Sequence, residues 1–213
     1  MAKLKNYSCF LLLAFSLEFS CSYAAQNPVL QVETGDRFLV DLRYDSENNF
    51  LHRNVYQPYG LNQCLVHPDL WKKLEKLEKP LTDAKLKLVF FDCYRPLTVQ
   101  RAMWALVPDA RFVANPLHGS NHNRGTAIDV SLASEDGRLL PMPSDFDAFT
   151  PQAASDFKCP VSLATECANR DRLKALMLSI GLEGLKTEWW HFQLPGSKSY
   201  PLIESTDDSS KAH

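Results

Sequence analysis

Two short segments, almost sixty residues apart, set the terms on which this chain can fold. The first runs Ser120-Asn121-His122-Asn123-Arg124-Gly125-Thr126-Ala127-Ile128-Asp129, and the second is Glu188-Trp189-Trp190-His191. Two imidazoles and one carboxylate make a three-ligand set for zinc that leaves a fourth position for water. A spare carboxylate beside such a set can act as general base. A fold that uses these groups together must carry the two segments to one point.

Local patterning agrees with that requirement. Ala127–Leu132 alternates as a strand, with Ala127, Asp129 and Ser131 on one face and Ile128, Val130 and Leu132 on the other. Asp129 can then face a site while its neighbours fill the core. His122, in a polar loop just before this strand, reaches the same strand end. Glu188 and His191 are three residues apart, which puts them on opposite faces of an extended segment. The Glu188–His191 stretch must therefore bend, or begin in a loop, for both to reach one metal. Trp189 and Trp190 would buttress that segment and exclude water.

Strands are expected at Arg37–Leu42, Leu86–Phe91 and Trp189–Leu194. Helices are expected at Asp69–Leu77 with Asp69 as N-cap, at Thr98–Val107 with Thr98 capping and Pro108 stopping it, and at Asn169–Ser179. Pro58 and Gly60 mark a turn, Asp136-Gly137 another, and residues 141–168 read as irregular. Strands and helices without a regular βαβ repeat indicate an α+β fold with antiparallel pairing.

The first 25 residues read as a secretory signal peptide. Lys3 and Lys5 precede an apolar run from Cys9 to Leu17, and small residues follow at Ser22, Ala24 and Ala25. That run is too short for a comfortable membrane span, which needs about 20 apolar residues. Residues 26–203 then form one catalytic domain, and the polar tail 204–213 is expected to be disordered. Export to the periplasm follows, with no stable membrane span after cleavage. A formal net charge of −2 gives no general attraction to nucleic acid. Cys64, Cys93, Cys159 and Cys167 remain after the leader, enough for two disulfides with three possible pairings. Cys159–Cys167 would close a short local loop, and Cys64–Cys93 would then staple an early helix to the strand before Arg95.

The pattern S-x-H-x(6)-D followed by E-W-W-H resembles the D-alanyl-D-alanine dipeptidases, zinc enzymes related to the D,D-carboxypeptidases. Tyr94-Arg95-Pro96, Pro141-Met142, Phe146-Asp147 and Asn169-Arg170 at the start of the last helix extend the match over roughly residues 36–200. The resemblance implies a small antiparallel sheet with packed helices and one zinc per chain lying over the sheet. It implies His122, Asp129 and His191 as ligands, Glu188 as general base and Arg95 as the group that stabilises the oxyanion. Asp147 would hold the ammonium of a small D,D-dipeptide, Ser120 would contact substrate, and Tyr44 is a further pocket candidate. Asn121 between Ser120 and His122, and Ser144-Asp145 before Phe146, depart from the family pattern. His52, His67, His118 and His213 are not needed, and His118 is expected at the surface. A D,D-carboxypeptidase or endopeptidase acting on whole peptidoglycan stems would use the same zinc site with an open pocket. A catalytically silent zinc-binding or wall-binding module would have no need of Glu188. Oligomeric state, the preferred second residue of the substrate and the physiological role stay open.

Overall fold

The computed structural model describes residues 29–203, apart from Glu33 and Arg111. The leader expected at residues 1–25 and the tail expected at 204–213 lie outside the described residues. The elements in chain order are β1 (Leu30–Gln31), β2 (Phe38–Val40), β3 (Leu65–Val66), α1 (Pro68–Leu74), α2 (Glu78–Ala84), β4 (Leu86–Asp92), α3 (Leu97–Leu106), β5 (Ala127–Ser134), α4 (Ala164–Ser179), β6 (Glu183–Gly184) and β7 (His191–Gln193). This is the expected α+β architecture. The main sheet has five strands in the order β2-β4-β5-β7-β6, and β1 pairs with β3 separately. Every pair in the main sheet is antiparallel except β2 with β4, which run parallel at one edge.

Period-two alternation divides the sheet into two unlike faces. Leu88 and Phe90 of β4 oppose Leu132 and Val130 of β5, and Ile128 opposes Phe192 of β7. These side chains are buried and form one side of the core. Phe38 extends it, with its ring 6.1 Å from Phe90 and 5.6 Å from Trp71 of α1. Leu70, Leu74, Leu77 and Leu81 are fully buried in the same cluster. Phe90→Ala is expected to cost about 3–5 kcal/mol, because a fully buried ring leaves a cavity its neighbours fill only in part. A urea melt should show a lower midpoint with an unchanged slope.

Several helix boundaries differ from expectation, each for a local reason. Asp69 does not cap α1. His67 does, its Nδ1 accepting from the Asp69 N–H at 3.1 Å, with Pro68 in the first turn. A second helix, α2, follows where none is expected. Its Pro80 is tolerated because it sits in the first turn, where backbone N–H groups have no partner within the helix. Pro96 rather than Thr98 stands at the N-terminus of α3. Helix α4 starts five residues before Asn169, so Asn169 and Arg170 lie inside it rather than opening it. There they bond to Pro141 O at 2.9 Å and Phe157 O at 2.8 Å, which ties α4 to the long irregular segment. The expected Asp136-Gly137 turn is present, with Ser134 N–H donating to Arg138 O.

The cysteines pair as Cys64–Cys93 and Cys159–Cys167. Cys64 stands ahead of β3, not on a helix. Closing a loop 29 residues long restricts the unfolded chain by roughly 3–4 kcal/mol in the chain-entropy account. Cys93 directly follows β4, so the bridge fixes the strand end from which the site is built.

Candidate active site

The second sheet face carries the polar groups. Asp92, Asp129 and His191 stand opposite one another across β4, β5 and β7. A register irregularity between Phe90 and Asp92 re-aims the end of β4. His122 enters from a short 3-10 turn just before β5. Gly125 closes that turn at φ +65°, a conformation suited to glycine. Asn123 knits the turn to the end of β4, donating to Arg95 O at 2.6 Å and accepting from Ser120 N at the same distance.

His122, Asp129 and His191 form a buried cluster of potential metal ligands. His122 Nε2 lies 3.2 Å from His191 Nδ1 and 3.4 Å from Asp129 Oδ1, and His191 Nδ1 lies 3.0 Å from the same carboxylate oxygen. Donors about 2.0–2.1 Å from a tetrahedral zinc stand about 3.4 Å apart, so the triangle fits one face of such a site. The outer nitrogens are held as ligation requires. His122 Nδ1 donates to Cys93 O at 2.9 Å, and His191 Nε2 donates to Gln193 Oε1 at 3.1 Å. Each bond leaves the inner nitrogen with its lone pair free. Asn121 Nδ2 donates to the same Gln193 oxygen at 2.7 Å, so this departure from the family pattern helps hold a candidate ligand.

Glu188 lies in irregular chain ahead of β7, flanked by bends at Lys186-Thr187 and Trp189-Trp190, which satisfies the constraint set by its spacing from His191. Its Oε2 is 3.9 Å from His191 Nδ1. Burial, aided by Asp129, raises its pKa above the ordinary carboxylate value, although both histidines and Arg95 pull the other way. Lys186 pairs with Asp156 and Arg124 bonds to Tyr200 O and His118 O, so neither cation neutralises Glu188. His118 is exposed, as expected.

Arg95 is buried in the link between β4 and α3, with Nη1 donating to Gln100 Oε1 at 2.9 Å and Nη2 to Asp92 Oδ2. Gln100 is fixed in turn by Ala114 O at 2.7 Å, and Asp92 by the Tyr56 hydroxyl and the Cys93 N–H. Burial works to lower the Arg95 pKa, but Asp92, with Tyr44 and Tyr56, holds it well above its usual value. Its Nε is buried with no hydrogen-bond partner among the described residues. Asp92, Gln100, Tyr56 and Gln193 escaped the sequence reading. Asp92 is a strand residue three before Arg95, and Gln193 lies two after His191 on the same strand face, which is the signal that could have found them.

The candidate ligand cluster lines a cavity of about 270 Å3 together with Glu188, Arg95, Ser120, Tyr44 and Asp147. All the residues singled out from the sequence are therefore brought together. The Tyr44 hydroxyl donates to Asp147 Oδ2 at 3.0 Å, and the Arg95 guanidinium stands over the Tyr44 ring at 5.0 Å. Burial, and then the charge of Asp129, raises the Asp147 pKa well above the ordinary range. Asp147 has φ +58°, an uncommon conformation for a residue with a side chain. Ser120 Oγ accepts from His122 N at 3.2 Å. Trp189 Nε1 donates to Ser144 Oγ at 3.0 Å, so the second departure from the pattern pins the Asp147 loop to the segment carrying Glu188.

Comparison with known proteins agrees with this geometry. A family model described as D-Ala-D-Ala dipeptidase matches residues 25–208. The D-alanyl-D-alanine dipeptidase of Escherichia coli is 37% identical over 164 residues, covering 77% of this chain and 82% of that protein. Proteins of the same name from Enterococcus faecium and Enterococcus faecalis are 28% and 25% identical, each covering 72% of this chain and 84% of the relative. With its ligand cluster, carboxylate and guanidinium gathered in one cavity and the family model spanning most of its length, this chain belongs to the D-Ala-D-Ala dipeptidase family of metallopeptidases.

Proposed function

We propose that this protein hydrolyses D-alanyl-D-alanine to two molecules of D-alanine, using one zinc held by His122, Asp129 and His191. One observation carries the reading: a three-donor cluster, an unneutralised carboxylate and a buried guanidinium share a cavity that also contains the carboxylate of Asp147. The cavity, at about 270 Å3, falls below the roughly 300–1,000 Å3 of drug-sized ligand pockets, which suits a dipeptide better than a whole stem. Zinc, when bound, would supply Lewis-acid polarisation of the scissile carbonyl and of the attacking water. Glu188 takes the proton from that water and passes it to the leaving amine. Arg95 donates to the oxygen on which charge develops, from a guanidinium already oriented by Asp92 and Gln100. Asp147, steadied by Tyr44, receives the substrate ammonium, and Ser120 lines the wall nearby. Export to the cell envelope is part of the proposal, supported by the leader-like N-terminus and the two cystines. There the enzyme would salvage D-alanine from wall turnover.

The test is D-alanine release by zinc-loaded protein, with D-Ala-D-Ala and an N-acylated peptide ending in D-Ala-D-Ala side by side. Cleavage of the free dipeptide alone supports the reading. Cleavage of the acylated peptide moves the activity to a D,D-carboxypeptidase.

Two further outcomes are expected. Gln193→Ala removes the acceptor that fixes the His191 ring, so zinc affinity should fall about 10–100-fold in a chelator competition, with the fold retained. Substrate binding should also depend on pH through Asp147. Only the ionised carboxyl pairs with an ammonium, so KM should rise as pH falls through the raised pKa, beginning above the ordinary value of 3.8. The same shift makes native protein hold a proton that unfolded chain releases, so stability falls as pH rises through that window. Asp147→Asn should flatten both dependences, read from initial rates and thermal melts across pH.

A further inference from the structure

A larger groove of about 750 Å3 lies beside the catalytic cavity on the same sheet face. Asp129 lines the cavity, and Ser131, two residues along β5 and on the same face, lines the groove. Among the described residues, Asp147 alone lines both. Phe146 packs against Phe91 at 5.3 Å and Trp190 at 5.4 Å, and the Asp147 carboxyl accepts from Tyr44. The groove is lined on both sides of its polarity. Phe50, Phe91 and Met142 are apolar walls, and Asn48 and Arg43 are polar ones. Arg43 is buried over the Phe91 ring at 4.2 Å, and its Nε has no hydrogen-bond partner among the described residues.

We infer that Asp147 is a partition as well as an anchor: its side chain separates the catalytic cavity from a preformed groove of peptide-binding character. The inference rests on the dipeptidase reading above. In that reading the substrate ammonium lies against Asp147, so any acyl group on that nitrogen must pass through the position Asp147 occupies. Wild-type protein rejects an N-acyl substrate on two grounds, the lost ion pair and the blocked path. Once the side chain is removed, the path leads into the groove, whose walls suit an extended acyl-peptide chain. The bond broken is unchanged. Water adds across the terminal amide, and the products become D-alanine and an N-acyl-D-alanine. Specificity for a free amine is thus set by one side chain.

The backbone favours the decisive variant. At φ +58° glycine is unstrained, so Asp147→Gly removes the partition while relieving a left-handed non-glycine residue. Asp147→Asn removes the charge but keeps the bulk, and asparagine tolerates this conformation. Rates should be measured on zinc-loaded protein with D-Ala-D-Ala, N-acetyl-D-Ala-D-Ala and N-acetyl-L-Ala-D-Ala-D-Ala. Both variants should lose about 100-fold or more in kcat/KM on the free dipeptide, mainly through KM. Only Asp147→Gly should gain cleavage of the two acylated peptides, shifting the ratio of acylated to free substrate by roughly 1,000-fold. A folded, zinc-loaded Asp147→Gly that cleaves no acylated peptide would overturn the partition. So would equal gains in both variants, since charge alone would then be the barrier. Failure of wild-type protein to cleave D-Ala-D-Ala would instead remove the dipeptidase reading, which separates the two failures.

Discussion

Glu188→Gln is expected to lower turnover about 1,000-fold or more while leaving the protein folded and metal-loaded. The substitution is nearly isosteric and touches none of the three clustered donors. What it removes is a carboxylate able to take and return a proton beside His191. Burial raises the pKa of Glu188, which improves its match to that task near neutral pH. The fall should appear in kcat, with KM little changed, because the substrate contacts lie elsewhere in the cavity. Metal content measured alongside the rate distinguishes base from ligand. If zinc is lost together with turnover, Glu188 belongs to the ligand set and the proposed base is wrong.

Arg95→Lys is expected to reduce kcat about 100–1,000-fold, although the charge is kept. The guanidinium reaches Asp92 and Gln100 at once while Arg95 also lines the cavity. A lysine ammonium can satisfy Asp92 but cannot span both partners. Asp92 also accepts from Tyr56 and Cys93, so the lysine variant should fold with a lower melting temperature but remain assayable. An unchanged kcat/KM would remove Arg95 from the chemistry.

The sequence exposed those parts of the site whose chemistry and local period coincide. Asp129 was readable because alternation in β5 gives its face directly, and the irregular chain at Glu188 followed from three-residue spacing. The supports behind these groups were not readable. Asp92, Gln100 and Gln193 are single polar residues whose purpose depends on which atoms tertiary packing sets against them. Helix α2 was hidden by Pro80, a breaker everywhere except the first turn where it stands. The start of α4 was hidden because residues 164–168 carry no apolar period, and the Cys159–Cys167 bridge lies across that start. The parallel pairing of β2 with β4 is a long-range choice, and three residues carry no direction signal of their own.

The opposition of Asp129 to His191 across β5 and β7 has a consequence for folding. Side chains in a strand change face with every residue, so a slip of one position would send Asp129 into the apolar layer and bring Ile128 or Val130 to the cluster. Slipped pairings therefore have no triangle of donors to offer a cation. A ligand that binds only the correctly paired chain withdraws population from every misaligned one by mass action. If the cluster binds zinc as proposed, metal capture would thereby proofread strand alignment, and retention of the ion would report that β5 has paired with β7 correctly.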